Sequence, residues 1–393
     1  MSHVFRFGLI VSLVILTSCA KNPVTGRPEF QFIGAEKEIK MGESHYLHGQ
    51  QASGGKYTLD PELSAYVDEV GKKLVSVSSR PSLPFEFVVL NDSVPNAWAL
   101  PGGKIAVNRG LLTKLHNEAE LAAVLGHEIT HAAARHGAKS MERQLILSTS
   151  LAATNVALAT ASKDKNSGLT NGALMAGAGV AAGLVSTKYS REAELEADAY
   201  GMDYMVKAGY DPSAAVSLQQ TFVKLSENKS TNWAKGLFAS HPPSQERANT
   251  NLIRAKTMPK GLTLGQERYQ QKIAQLKQRE PAYDEYDKGV AAYKKGDLGH
   301  ALQLANNAIQ KEPKEALFYG LKGDVLAKQN VNDQALEAYQ HAIARDANYF
   351  YYFHQRGILL DHMGRKQEAK LDLQHSQQLL PTDTADQLIK KMG

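Results

Sequence analysis

Cysteine is almost missing from this 393-residue chain: Cys19 is the only one. A single thiol closes no internal disulfide, so the fold must be held by packing, and such a chain is safe in an oxidising compartment. Dense blocks of Lys and Arg are also missing. The 45 basic and 40 acidic residues leave a scattered formal charge of +5, which argues against a nucleic-acid binder. No strongly apolar run approaches the roughly 20 residues of a spanning helix. What is present, 43% hydrophobic and 22% charged residues, describes a globular protein of two or three domains.

The first residues, MSHVFRFGLIVSLVILTSC, have a basic residue at Arg6, a short apolar run over Phe7–Leu16, and small residues before Cys19. This is the layout of a cleaved signal peptide. The stretch LTSC resembles a bacterial lipobox, which implies a signal peptide over 1–18, lipidation of Cys19 and a lipid-anchored tether over 19–36. Ala20 follows where an Asp would signal retention, so sorting to the outer membrane is expected if the cell is Gram-negative.

Strand and helix patterns alternate from about residue 37 to 257. Phe85–Asp92 and Gly102–Leu112 read as strands. The second is expected to be an edge, where an extended substrate could add its own backbone. Asn117 to Gln144 reads as one long helix with Asn117 as its N-cap. Residues 145–187 are rich in Ala, Gly, Ser and Thr; small-residue helices packed over the preceding domain are expected rather than membrane spans.

In the C-terminal third, Gly289, Gly323 and Gly357 are 34 apart, as are Ala301, Ala335 and Ala369, and Pro313, Ala347 and Pro381. This period predicts three tetratricopeptide helix pairs over 282–393 with a capping helix, an α-solenoid suited to binding a protein partner. Residues 258–281 read as a helical linker. The expected class is therefore α+β, mostly α: a domain with a small sheet at 37–257, then the solenoid.

The chemistry lies in VLGHEITHAAARH, Val124–His136. His127 and His131 are one helical turn apart and share a face, so both can bind one zinc ion. Glu128 can reach the same coordination position and take a proton from water whose pKa the metal has lowered. His136 lies five residues after His131, about 140° around a continuous helix, so it is expected to face away. No third histidine sits at the metzincin spacing, so the third ligand should be a carboxylate on another helix. SREAELEADAYG, Ser190–Gly201, offers Glu194, with Asp198 one turn on to orient a ligand histidine. Leu195, Ala199 and Met202 are expected on that helix's other face. Zinc over other divalent ions follows from the ligand types. His241, in SHPPSQER, is open to three readings: a donor to the oxyanion, a fourth ligand that must swing away, or part of a helix N-terminal turn capped by Ser244.

Together with NPVTGR (22–27), PNAWALPGGKIAVNRGLL (95–112) and NEAELAAVLGHEITH (117–131), these segments resemble the HtpX-like and CAAX-prenyl-protease-type zinc metallopeptidases, gluzincins. The resemblance is greatest to the periplasmic, BepA-like branch that carries tetratricopeptide repeats. Trp98 stands where the family usually has Phe. The resemblance implies one zinc ion per chain on His127, His131 and Glu194, Glu128 as general base and Asp198 in support. It also implies a protease of misfolded or misassembled envelope proteins, acting in the periplasm from an outer-membrane anchor. A periplasmic chaperone or assembly scaffold with little proteolysis, and a metal-bound but inactive relative, are the competing expectations.

Overall fold

The computed structural model describes residues 19–144, 188–227 and 236–393. The signal peptide expected at 1–18 and the small-residue segment 145–187 lie outside them. Among the described residues, no helix is long and apolar enough to cross a membrane.

The architecture is mostly helical. Three strands form the main sheet: β3 (Glu86–Leu90), β4 (Ala97–Leu100) and β5 (Lys104–Asn108), in the order β3-β5-β4. β3 runs parallel to β5 and β4 antiparallel to it. β5 is therefore the central strand, buried along its whole length, and the edge role expected of it is corrected. A strand with a neighbour on each side has no free backbone row for a substrate. The strand ends at Asn108 and not at Leu112, because Arg109–Leu112 leaves the sheet as a helical turn.

The segment read as a tether is folded. β1 (Cys19–Lys21) and β2 (Pro28–Phe30) form an antiparallel hairpin whose turn is fixed by Asn22. The Asn22 side-chain oxygen accepts from the amides of Val24 and Thr25 at 2.8 and 3.0 Å. Its Nδ2 donates to the Ala134 carbonyl at 3.3 Å, docking the hairpin on the end of the His127 helix.

Asn117 does cap that helix, accepting from Glu120 N, but the helix spans Glu118–Ala133 and stops there. Arg135 has φ +62°, a left-handed conformation unfavourable for a residue with a Cβ. Contacts hold it: its guanidinium reaches Glu38, Glu142 and the Ile33 carbonyl. The chain then re-enters a helix at 136.

Helix pairs Ala274–Lys295 with Leu298–Lys311, Ala316–Lys328 with Asn332–Arg345, and Phe350–His362 with Lys366–Leu379 build the solenoid, closed by Asp383–Met392. The 34-residue period has a steric cause. A Cβ on Gly289, Gly323 or Gly357 would come within 2.9, 2.6 and 2.8 Å of Leu321, Tyr339 and Leu373 respectively. Ala301, Ala335 and Ala369 are fully buried. The boundary expected at 281/282 falls inside the helix Ala274–Lys295. Tyr269, Ile273 and Leu276 of the expected linker are fully buried in a core that also holds Leu121 and Leu125 of the His127 helix and Phe318 of the repeats.

Candidate metal centre

Two helices cross to make the site. The helix Arg191–Lys207 is capped by Ser190 and packs against Glu118–Ala133 through Gly201 and Gly126. A Cβ on Gly201 would lie 3.0 Å from Gly126 C and His127 N. Backbone-to-backbone approach is what carries Glu194 to the histidine pair. Replacing Gly201 by Val should push the helices apart and weaken zinc binding at least tenfold while the repeats stay folded. Zinc titration and circular dichroism of the variant check this, and unchanged affinity would refute the role given to the crossing.

The expected polarity of this helix is corrected. Its buried residues are Glu194, Ala197, Asp198, Gly201, Met202, Tyr204 and Met205, so Met202 shares the carboxylate face, while Leu195 and Ala199 are only half-buried. Buried acids are tolerated because charged partners meet them.

Ring nitrogens and a carboxylate converge at one point. His127 Nε2 lies 3.0 Å from His131 Nε2 and 3.2 Å from His241 Nδ1. Glu194 Oε1 lies 2.9 Å from His241 Nδ1 and 3.4 Å from His131 Nε2. Its Oε2 is 3.5 Å from His127 Nε2. The four residues are buried, and among the described residues theirs is the cluster able to hold a metal ion. Ligands about 2.0–2.2 Å from a tetrahedral zinc ion stand about 3.3–3.6 Å apart, close to the separations here.

Charge supports the same fit. Glu128, Glu194 and Asp198 are buried carboxylates facing one buried guanidinium, that of Arg247. With the ligand histidines neutral, as metal binding requires, three negative charges against one positive leave two uncompensated, the deficit a divalent cation fills.

Around this cluster each group is held. His127 Nδ1 meets Asp198 Oδ1 at 2.9 Å. Arg247 donates from Nε to Asp198 Oδ2 and from Nη2 to Asp198 Oδ1, both at 2.7 Å. Its Nη1 pairs with Glu194 Oε2 at 2.7 Å. Burial raises the Asp198 carboxyl, but Arg247 and then His127 outweigh it and bring the pKa to about 2. Glu194 likewise pays for burial yet is held well below its usual range by His241, His127 and His131. Burial pushes Glu128 up against the pull of His241 and His127. Burial drives His131 well down, keeping its imidazole neutral. His127 is also disfavoured as a cation by burial, but Asp198 and Glu194 reverse this and raise it to about 10. A metal entering the site would therefore displace a proton from His127.

His241 is the C-cap of a short helical turn, Leu237–Ser240, tied to the loop before β4 by the Leu237 amide donating to Pro95 O at 2.9 Å. Of its three readings, the structure puts Nδ1 in the ligand cluster and Nε2 3.4 Å from Glu128 Oε1. Ser244 caps the next helix, Gln245–Lys256, as expected.

His136 is where the sequence misled. It does not face away: its Nδ1 lies 2.8 Å from His131 Nδ1, because the left-handed turn at Arg135 swings it back. Arg247 and Tyr189 were not singled out. Tyr189 stacks on His131 with ring centroids 3.9 Å apart. Arg247 follows His241 by six residues in a segment already marked by its two prolines, and that is the signal that could have found it.

Residues 61–252 match the profile of peptidase family M48. This stretch is an M48 zinc-metallopeptidase domain. Among its relatives, a Vibrio cholerae protein bearing the beta-barrel assembly-enhancing protease name is 33% identical over 204 residues, 51% of this chain and 40% of that protein. The Beta-barrel assembly-enhancing protease of Escherichia coli (strain K12) is 28% identical over 335 residues, 78% of this chain and 66% of the relative. The Mitochondrial metalloendopeptidase OMA1 of Schizosaccharomyces pombe is 33% identical over 229 residues, 57% of this chain and 63% of that protein. The chain thus spans between two-fifths and about two-thirds of the length of these relatives. In M48 terms the matched region contains the whole candidate centre, from His127 to Arg247.

Proposed function

We propose that this chain is a zinc-dependent endopeptidase in which His127, His131 and Glu194 hold the metal, Glu128 is the general base and Asp198 orients His127. The observation that carries the proposal is the convergence of four buried ligand atoms within a charge deficit of two. Bound zinc supplies Lewis acidity, polarising a peptide carbonyl and acidifying water. Glu128 takes the proton from attacking water and returns it to the leaving amine. Asp198, fixed by Arg247, accepts from His127 Nδ1–H and so sets the tautomer that leaves Nε2 free.

His241 is read as a fourth ligand that closes the resting site. While it stands 3.4 Å from Glu128, a substrate carbonyl has no room beside the base, so turnover requires it to withdraw. β4 is the edge strand packed against the His127 helix, but Ala97–Leu100 are as buried as β5, so it can pair with a substrate only once the segment that covers it withdraws together with His241. Recognition through backbone pairing selects extended or unfolded segments.

The relatives' names suggest the setting: an envelope protease acting on outer-membrane protein assembly, with the repeats binding a protein partner or substrate segment. We place it in the periplasm, anchored by lipid on Cys19. Cys19→Ser should move the protein from the membrane to the soluble fraction, and persistent membrane association would refute the anchor. The central test is metal analysis paired with casein cleavage: one zinc per chain and activity abolished by chelation are expected. Full zinc content without any cleavage, even after His241→Ala opens the site, would favour an assembly scaffold instead.

A further inference from the structure

The two ligand histidines present equivalent Nε2 atoms to the cluster, but their far nitrogens meet different groups. His127 Nδ1 faces a carboxylate, Asp198. His131 Nδ1 faces another imidazole, His136 Nδ1, at 2.8 Å. Behind it, His136 Nε2 lies 3.3 Å from Glu196 Oε1. His136 is buried at 6% exposure, whereas the Glu196 side chain keeps 21%.

We infer that His136 is a positioning residue for the metal, fixing the tautomer and ring orientation of His131 and tying it to Glu196. The inference rests on the zinc-site reading above. When His131 binds through Nε2, its proton must sit on Nδ1. That N–H then donates to the lone pair of His136 Nδ1. His136 in turn carries its proton on Nε2 and donates it to Glu196. Both imidazoles stay neutral, and every ring nitrogen in the row has a role.

Charge explains why an imidazole stands where Asp198 stands for His127. The buried carboxylates already balance a divalent cation. A carboxylate directly against His131 would add a third net negative charge at full burial, at a steep desolvation cost. Glu196 sits one ring farther out and partly in water, so it orients the row without that cost. Tyr189, stacked on His131, fixes the plane of the ring but offers no acceptor in it. The orienting hydrogen bond comes from His136, and the strained turn at Arg135 exists where the chain must reverse to supply it.

The test is zinc affinity of the full-length chain, measured by competition with a chromophoric chelator after metal removal. Melting of each metal-free form is followed in parallel. His136→Phe fills the volume without an acceptor and should weaken zinc binding about 10–100-fold. His136→Asn, which keeps an acceptor oxygen near the Nδ1 position, should recover most of the loss. A merely structural role would show in the metal-free melting temperature of both variants alike, not in a difference of affinity between them. If His136→Phe does not fold, Glu196→Gln serves: it keeps the ring and should weaken zinc several-fold. Wild-type affinity in His136→Phe, equal loss in Asn and Phe, or an indifferent Glu196→Gln would each overturn the inference. A wild-type chain that binds no zinc would overturn the metal-site reading first and this inference with it.

Discussion

Glu128→Gln should leave zinc content at one per chain and cut peptide-bond cleavage by about 10²–10⁴-fold. Glutamine has the same shape and donates hydrogen bonds, but it cannot accept the proton of attacking water at neutral pH. Glu128 is not one of the four clustered ligands, so the metal should not notice the change. The residue is also primed for the role. Its Oε2 is buried with no hydrogen-bond partner among the described residues, a lone acceptor awaiting a donor. Burial pushes its carboxyl up, towards the working range of a general base. Metal analysis and hydrolysis of casein, done on the same preparation, check the result. A Gln variant within a few-fold of wild type would remove Glu128 from the mechanism.

Glu194→Ala should empty the site. The carboxylate supplies one ligand atom and also pairs with Arg247 Nη1. Its loss leaves two histidines and His241, and it drops the buried deficit from two charges to one. Arg247, still bound to Asp198, would then repel the incoming cation with less opposition. Zinc stoichiometry near zero after dialysis is expected, with activity gone. Asp198→Asn separates the two tiers of the site: stoichiometry should persist while affinity falls about 10–100-fold, because only the orientation of His127 is loosened. Full zinc in Glu194→Ala would move the third ligand elsewhere.

Much of this was legible in the chain because it follows from short-range rules. His127 and His131 share a face by helical arithmetic, and the 34-residue period survives because Gly323 cannot accept a Cβ against Tyr339. What failed was anything that depended on a break in a regular element. His136 was assigned by continuing a helix that Arg135 ends, and no propensity rule predicts a left-handed arginine held by Glu38 from almost a hundred residues away. β4 was missed because four apolar residues beside Pro101 carry too short a pattern, and without it β5 looked like an edge. Arg247 was hidden because a guanidinium after a cap reads as surface, whereas here two carboxylates draw it into the interior. The N-terminal hairpin looked like a tether for the same reason. Its docking depends on Asn22 finding the Ala134 carbonyl across 112 positions.

The continuity of the core across residues 274–295 constrains how the two halves can be treated. Tyr283, Phe318 and Tyr352 on the repeat side share one apolar interior with Leu121 and Tyr269. Arg109 lies over the Tyr283 ring, 3.3 Å from its centroid, while Gln51 clasps the backbone at Asn348 and Phe350. A solenoid excised at 282 would bare that greasy flank to water and clump rather than serve as a freestanding adaptor. The seam is shared interior and not a bare hinge, so a partner that grips the solenoid bears on the same core that seats Leu121 and Leu125 of the His127 helix.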